Sequence, residues 1–287
     1  MWTLLDWLIG PATALFLFFA NWGDEQPRAE SVISALYTHA AYADQKDQLD
    51  IYISPSSAED TNASALKPVL VFIHGGGLMI GDKSDFKQLG HKFASNGYTT
   101  VLVNHRLSPG VSHPSHIEDI ATAFAWVHSN ITSYGGDPER VFVSGHSSGG
   151  YLAMLLGTDA RYLAEHGLSI QDIRGVAAIS GFFHVERLAT ERPKTVWSEI
   201  SEKWPDASPA NHLGPDVPPT LLLYADNDND ARKQESIDLA DKMKEYRSHK
   251  VEVMEIADRN HASISAYMMT KGDMTSELLL DFMQQNL

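Results

Sequence analysis

Gly145-His146-Ser147-Ser148-Gly149 stands between two runs of opposite character. Before it comes Val141-Phe142-Val143-Ser144, short, apolar and β-type; after it comes Gly150-Tyr151-Leu152-Ala153-Met154-Leu155-Leu156, a helix former. A strand that turns directly into a helix, with Gly-x-Ser-x-Gly at the corner, holds the serine on a sharp, strained turn. Its hydroxyl then points out of the sheet edge. Glycines two residues before and after the serine make room for that backbone. Only the register centred on Ser147 works, because centring on Ser148 would put His146 where the first glycine belongs. The letters alone recur by chance; the strand before and the helix after make the pattern specific.

The rest of the chain repeats this alternation. β-rich runs occur at 49–53, 69–73, 100–103, 141–144, 176–180, 220–224 and 251–256, with helical patterns at 86–95, 117–129, 150–156, 235–246 and 276–285. Strands alternating with helices predict an α/β fold with a mostly parallel central sheet flanked by helices. Val69-Leu70-Val71-Phe72-Ile73 is continuously apolar, as a strand covered on both faces should be. Residues 54–67 read as a polar loop. Residues 182–213 break the alternation, with Trp197 and Trp204 among Pro193, Pro205 and Pro209. They follow a strand end and are expected to form a short lid. The division is thus 1–48, an apolar helix with a cap-like extension, and 49–287, the catalytic domain.

A serine nucleophile needs a base, and the base needs an orienting acid. On this architecture the chain order is serine, acid, histidine. Of 13 histidines only His166, His184, His212, His249 and His261 follow Ser147. His261 comes after the last strand, where a loop turns into a helix, and is the expected base. The acid should follow the preceding strand, which ends in Asp226-Asn227-Asp228-Asn229-Asp230. Asp228 is the choice; Asp226 and Asp230 stay open, with Asp258 more remote. The three aspartates imitate the start of a calcium loop. The imitation fails because Ala231 replaces the required glycine and Ile237 the closing glutamate. His74-Gly75-Gly76-Gly77 follows the strand at 69–73 and lets backbone N–H groups approach a developing alkoxide. Together with the N–H of Ser148 they would form an oxyanion hole. It is no phosphate loop, since no Lys-Ser/Thr follows a glycine directly as in a P-loop: Asp82 separates Gly81 from Lys83-Ser84. Arg106 and Asp119 are expected to brace neighbouring loops as an ion pair.

Composition narrows the class. There are no cysteines, which excludes disulfides, thiolate-bound zinc and a thiol nucleophile. A net charge of −15, from 22 basic and 37 acidic residues, repels phosphates and argues against a nucleic-acid partner. Residues 2–20 are mostly apolar, but Asp6 and Pro11 interrupt them and no basic residue precedes Arg28. The preferred reading is an amphipathic helix packed on the body or on a second copy in a homodimer. A membrane-surface anchor and a cleaved signal are the alternatives. The expected location is the cytoplasm, with membrane association and export kept open.

Taken together the chain resembles the α/β-hydrolase superfamily, in its hormone-sensitive-lipase-like and feruloyl-esterase-like carboxylesterase branches. The resemblance rests on His74–Gly77 with Gly81-Asp82, Arg106–Pro109, His113-Pro114 with Glu118-Asp119, Tyr134–Pro138, Gly145–Gly150, Ser208-Pro209, Asp228 and His261. It implies nucleophile Ser147, base His261, acid Asp228, an oxyanion hole from Gly76, Gly77 and Ser148, and neither metal nor other cofactor. Leu78, His146 and Phe182 are the expected substrate contacts. The implied substrate is a short- to medium-chain acyl ester; a small amide such as an arylformamide is the alternative, and a catalytically dead binding protein a remote one. The chain departs from the pattern at His105-Arg106, where many relatives carry Tyr-Arg, and at Ala225, where a glycine is usual.

Overall fold

A computed structural model of the chain describes residues 31–36, 48–53, 66–188, 194–246 and 250–287. The apolar segment 2–20, and with it the packing, anchor and leader readings, lies outside them. Eight strands form one sheet: β1 (Ser31–Leu36), β2 (Gln48–Ile53), β3 (Lys67–Ile73), β4 (Thr99–Val103), β5 (Gly136–His146), β6 (Gly175–Ile179), β7 (Thr220–Ala225) and β8 (Val251–Ile256). Their order is β1-β2-β4-β3-β5-β6-β7-β8. β1 and β2 are antiparallel to their neighbours; all other pairs are parallel. The helices are α1 (Lys87–Ser95), α2 (Ser115–Asn130), α3 (Ser148–Thr158), α4 (Ala160–Ala164), α5 (Val185–Leu188), α6 (Lys194–Trp197), α7 (Asp230–Lys244), α8 (Ser263–Ala266) and α9 (Met274–Gln285).

The two-residue repeat of the strands builds two cores. Val69, Val71 and Ile73 of β3, with Val141 and Val143 of β5, face Ile120 and Phe124 of α2, Leu152 of α3 and Met243 of α7. Leu70, Phe72 and Phe142 face the other side, against Phe93 of α1 and Phe282 of α9. Burial on both faces explains why these strands read as unbroken apolar runs. Edge strand β8 alternates only weakly between partly buried and exposed residues.

Three elements differ from the expectation. β1 was not foreseen; it pairs along its full length with β2, so residues 31–36 extend the sheet. β5 starts at Gly136, because its polar first residues sit on the exposed end beside Lys67. α7 starts at Asp230, where the Asn229 side chain accepts from the N–H of Arg232 at 2.8 Å and caps the helix.

The chain runs from β3 to its neighbour β4 on one side and later places β5 on the other. That reversal opens a crevice beyond the carboxyl ends of β3 and β5, where open α/β sheets hold their ligands. The glycine loop and Ser147 both leave the sheet there.

Candidate active site

Ser147 turns the corner between β5 and α3 with φ 56° and ψ −118°. A non-glycine residue in this region costs of order 1–3 kcal/mol, so its surroundings must over-determine it. They do: the Ser147 N–H donates to the Ile179 carbonyl at 2.8 Å, tying the corner to the end of β6. A Cβ at Gly149 would stand 2.1 Å from the Ile73 carbonyl oxygen, and one at Gly145 2.4 Å from the carbonyl carbon of Gly149. These obstacles are backbone and cannot swing aside. The two glycines are therefore a steric demand of running α3 so close to β3.

His261 Nε2 lies 3.0 Å from Ser147 Oγ, and His261 Nδ1 lies 3.1 Å from Asp228 Oδ2. Pairing with a carboxylate keeps the proton on Nδ1 and leaves Nε2 to accept from the hydroxyl. The acid is the more enclosed partner of the imidazole: the side chain of Asp228 is 2 % exposed and that of His261 34 %. Burial opposes ionisation of Asp228. The hydrogen bond and charge of His261, with the Arg232 guanidinium, outweigh it and hold the carboxyl below its ordinary range.

The other two aspartates of the run have different partners. Asp226 accepts the backbone N–H groups of Arg259 and Asp258, each at 2.9 Å. These bonds lower its pKa, that from Arg259 most. Asp226 thus pins the loop after β8 to the end of β7. Asp230 is exposed and stands 3.5 Å from Lys233. Only Asp228 reaches the imidazole of His261.

The loop after β3 closes on Ser147 from the other side, for a Cβ on Gly75 would lie 3.3 Å from Ser147 Cβ. Gly76 adopts φ 124° and Gly77 φ 67°. At Gly76 even a methyl would meet the Ile80 carbonyl oxygen at 2.0 Å. The loop is braced from behind. His74 stacks on His105 with ring centroids 4.5 Å apart, and the Ser108 N–H donates to the Leu78 carbonyl at 2.8 Å. Arg106 and Asp119 form the expected ion pair at 2.6 Å, and the Arg106 N–H also donates to Asp119 at 2.8 Å.

The expected substrate contacts are all buried. Leu78 is enclosed in the core, and Phe182 stacks on Tyr151 at 4.7 Å, so neither offers more than a trace of surface to a ligand. His146 reaches the loop after β8: its Nε2 donates to the His261 carbonyl at 2.7 Å. In this structure the three thus make packing and support contacts, Leu78 and Phe182 in the interior and His146 against the backbone of His261.

Two further residues were missed. Arg232, buried on the first turn of α7, donates to the Ser180 carbonyl at 2.7 Å and stands 3.6 Å from Asp228. Glu235, one turn on, accepts the N–H groups of Phe183 and His184 at 2.7 and 2.9 Å, tying down the start of the segment after β6. Their signal is the 228, 232, 235 spacing: Arg232 and Glu235 share one face of α7, and Asp228 stands just before its cap at Asn229. It is legible only once α7 is known to begin at Asp230.

The BD-FAE family model matches residues 49–243. The chain is 30% identical over 238 residues to "Probable carboxylic ester hydrolase LipM" of Mycobacterium tuberculosis, covering 75% of this chain and 53% of that one. It is 26% identical over 256 residues to esterase LipQ of the same organism, covering 83% and 59%. The chain thus spans a little over half the length of these relatives. A truncated carbohydrate esterase from gut microbiota superposes with a TM-score of 0.74 at 18% identity, covering 92% of this chain and 99% of that one. Esterase 2 of Thermogutta terrifontis, phosphoramylated by tabun, superposes at 0.73 with 21% identity, covering 92% and 97%. At such identities the likeness is one of fold, and the fold is that of the α/β-hydrolases, as the motifs implied.

Proposed function

We infer, from the fact that the chain belongs to the BD-FAE family and from the geometry of its site, that it is a serine carboxylesterase acting on short- to medium-chain acyl esters of small molecules. The observation that carries this reading is the chain of contacts Ser147–His261–Asp228, at 3.0 and 3.1 Å, on a strained corner. Ser147 Oγ attacks the ester carbonyl carbon while His261 Nε2 takes its proton. Asp228 holds the imidazole in the accepting tautomer and favours the imidazolium that forms. The carbonyl oxygen becomes an alkoxide, held by the N–H groups of Gly76, Gly77 and Ser148; one such donor contributes roughly 3 kcal/mol to the transition state. Collapse expels the alkoxide, which leaves with the proton from His261. Water, activated by the same base, then frees the acid and restores Ser147.

An apolar substituent on the ester is the expected preference. Met79 and Ile80 stand 38 % and 59 % exposed on the loop that bears the oxyanion donors. Residues 182–188 and 194–213, the first of which Glu235 holds at Phe183 and His184, belong to the segment read as the lid. Among the described residues no helix is long and apolar enough to cross a membrane. Turnover of nitrophenyl esters from acetyl to octanoyl, beside an arylformamide and matched anilides, tests the reading. A preference for the esters, falling off at long chains, is expected. Faster turnover of the arylformamide would replace the esterase reading by the amidase one, and no turnover at all would favour the inactive binding protein.

A further inference from the structure

We propose that His146 is a positioning residue for the base: its side chain fixes the backbone of His261 while the strand that carries it fixes Ser147. The inference rests on the reading of His261 as the general base. His146 is the last residue of β5 and immediately precedes Ser147. Its Nε2 lies 2.7 Å from the His261 carbonyl oxygen, and the two rings are 4.8 Å apart. A carbonyl only accepts, so Nε2 must carry a proton and donate it. On its other side His146 abuts the glycine loop: a Cβ on Gly75 would lie 2.9 Å from the His146 carbonyl oxygen and 3.2 Å from its Nδ1.

The last residue of β5 and the corner residue after it therefore hold His261 at two points. Ser147 meets the ring at Nε2, and His146 meets the carbonyl. Elsewhere the loop after β8 is tethered through Asp226 to Asp258 and Arg259, through Asp273 to the Arg259 side chain, and through Asn260 to Ala262 and Ser263. The His146 bond acts on the carbonyl of the residue that carries the imidazole. Ångström misplacement of a reacting group costs up to about 100-fold in rate. The donor is also durable. Burial, reinforced by the neighbouring His261, pushes the His146 imidazole down to about 3, so it stays neutral wherever an esterase would work.

The test compares His146→Leu, which fills space without a donor, with His146→Gln, whose terminal amide reaches about as far as imidazole Nε2. Ester turnover is split into kcat and KM. The expected result is a kcat drop of about 10- to 100-fold in the Leu variant with KM within about twofold, and a Gln variant within about threefold of the parent. A Leu variant as fast as the parent, or a Gln variant as slow as Leu, overturns the proposal. If the Leu chain does not fold, His146→Asn replaces it: its amide is too short, so Asn slow and Gln fast supports the bond, and equal rates refute it. The parent and His261→Ala run alongside. A parent without ester turnover, or an active His261→Ala chain, brings down the underlying esterase reading and this inference with it, a pattern distinct from failure of the His146 variants alone.

Discussion

The turn after β5 and the turn after β7 contribute to the same site by opposite means. The first is fixed by collision. Gly145 and Gly149 stand where any side chain would strike backbone, so Ser147 has one conformation open to it. The second is fixed by hydrogen bonds. Asp226, Asp228 and Asp230 are chemically alike, and each is told apart only by what it meets: the β8 loop, the imidazole of His261, and Lys233 at the surface. A turn set by sterics announces itself in residue types. A turn set by partners does not, because the partners are distant in sequence.

The largest effect that would break this contrast lies in the second turn. Asp228→Asn should lower ester kcat by about 10⁴-fold, since the amide keeps the shape but not the tautomer of His261, and should lower the melting temperature modestly, since the carboxylate beside buried Arg232 is lost. Steady-state kinetics beside a melting curve checks both halves. In the first turn, Gly149→Ala should strike the fold itself. With backbone 2.1 Å from the new methyl, a loss of about 3–5 kcal/mol is expected in urea unfolding, together with the activity.

The turns also part company in acid. His146, beside the first, is held down to about 3, and His113 and His116 to about 4 each, burial being the main cause. A histidine whose folded pKa is depressed binds its proton first in the unfolded chain. Stability should therefore fall as pH drops below about 6.5, by up to about 1.4 kcal/mol per pH unit for each group. Asp226 and Asp228 are lowered in the folded state, so what they contribute is present above the ordinary carboxylate pKa and is lost only in stronger acid. Melting temperatures from pH 7.5 to 4.5 should fall more steeply for the parent than for His146→Gln, which removes one such group. The smallest effect belongs to Asp226→Asn. It should lower the melting temperature slightly and kcat by less than about tenfold, because it loosens the loop but leaves the imidazole its acid.

Much of this was legible in the residues. The continuous apolar strands and their spacing gave the parallel sheet, and Gly145–Gly149 named the serine because steric need leaves a mark in composition. His261 could be placed by chain order. Asp228 could be preferred but not separated from its neighbours, since the bonds that distinguish Asp226 come from Asp258 and Arg259 in another loop. His146 read as a substrate contact because a histidine beside a nucleophile looks functional; only the 2.7 Å approach to His261 shows which way it faces. Arg232 was hidden by a helix start placed at Glu235 rather than Asp230, Glu235 by partners in the distant segment after β6, and β1 by a six-residue strand whose partner lies across an intervening segment.

The central claim is that Ser147 is the nucleophile and that His261 activates it. Labelling with a phosphonate or phosphate ester inhibitor, followed by peptide mass mapping and timed in parent and His261→Ala chains, tests it most directly. The account predicts a single adduct on Ser147 in the parent, and labelling at least about 100-fold slower without the imidazole. An adduct on Ser148 or any other serine, or an unchanged rate in His261→Ala, would contradict it.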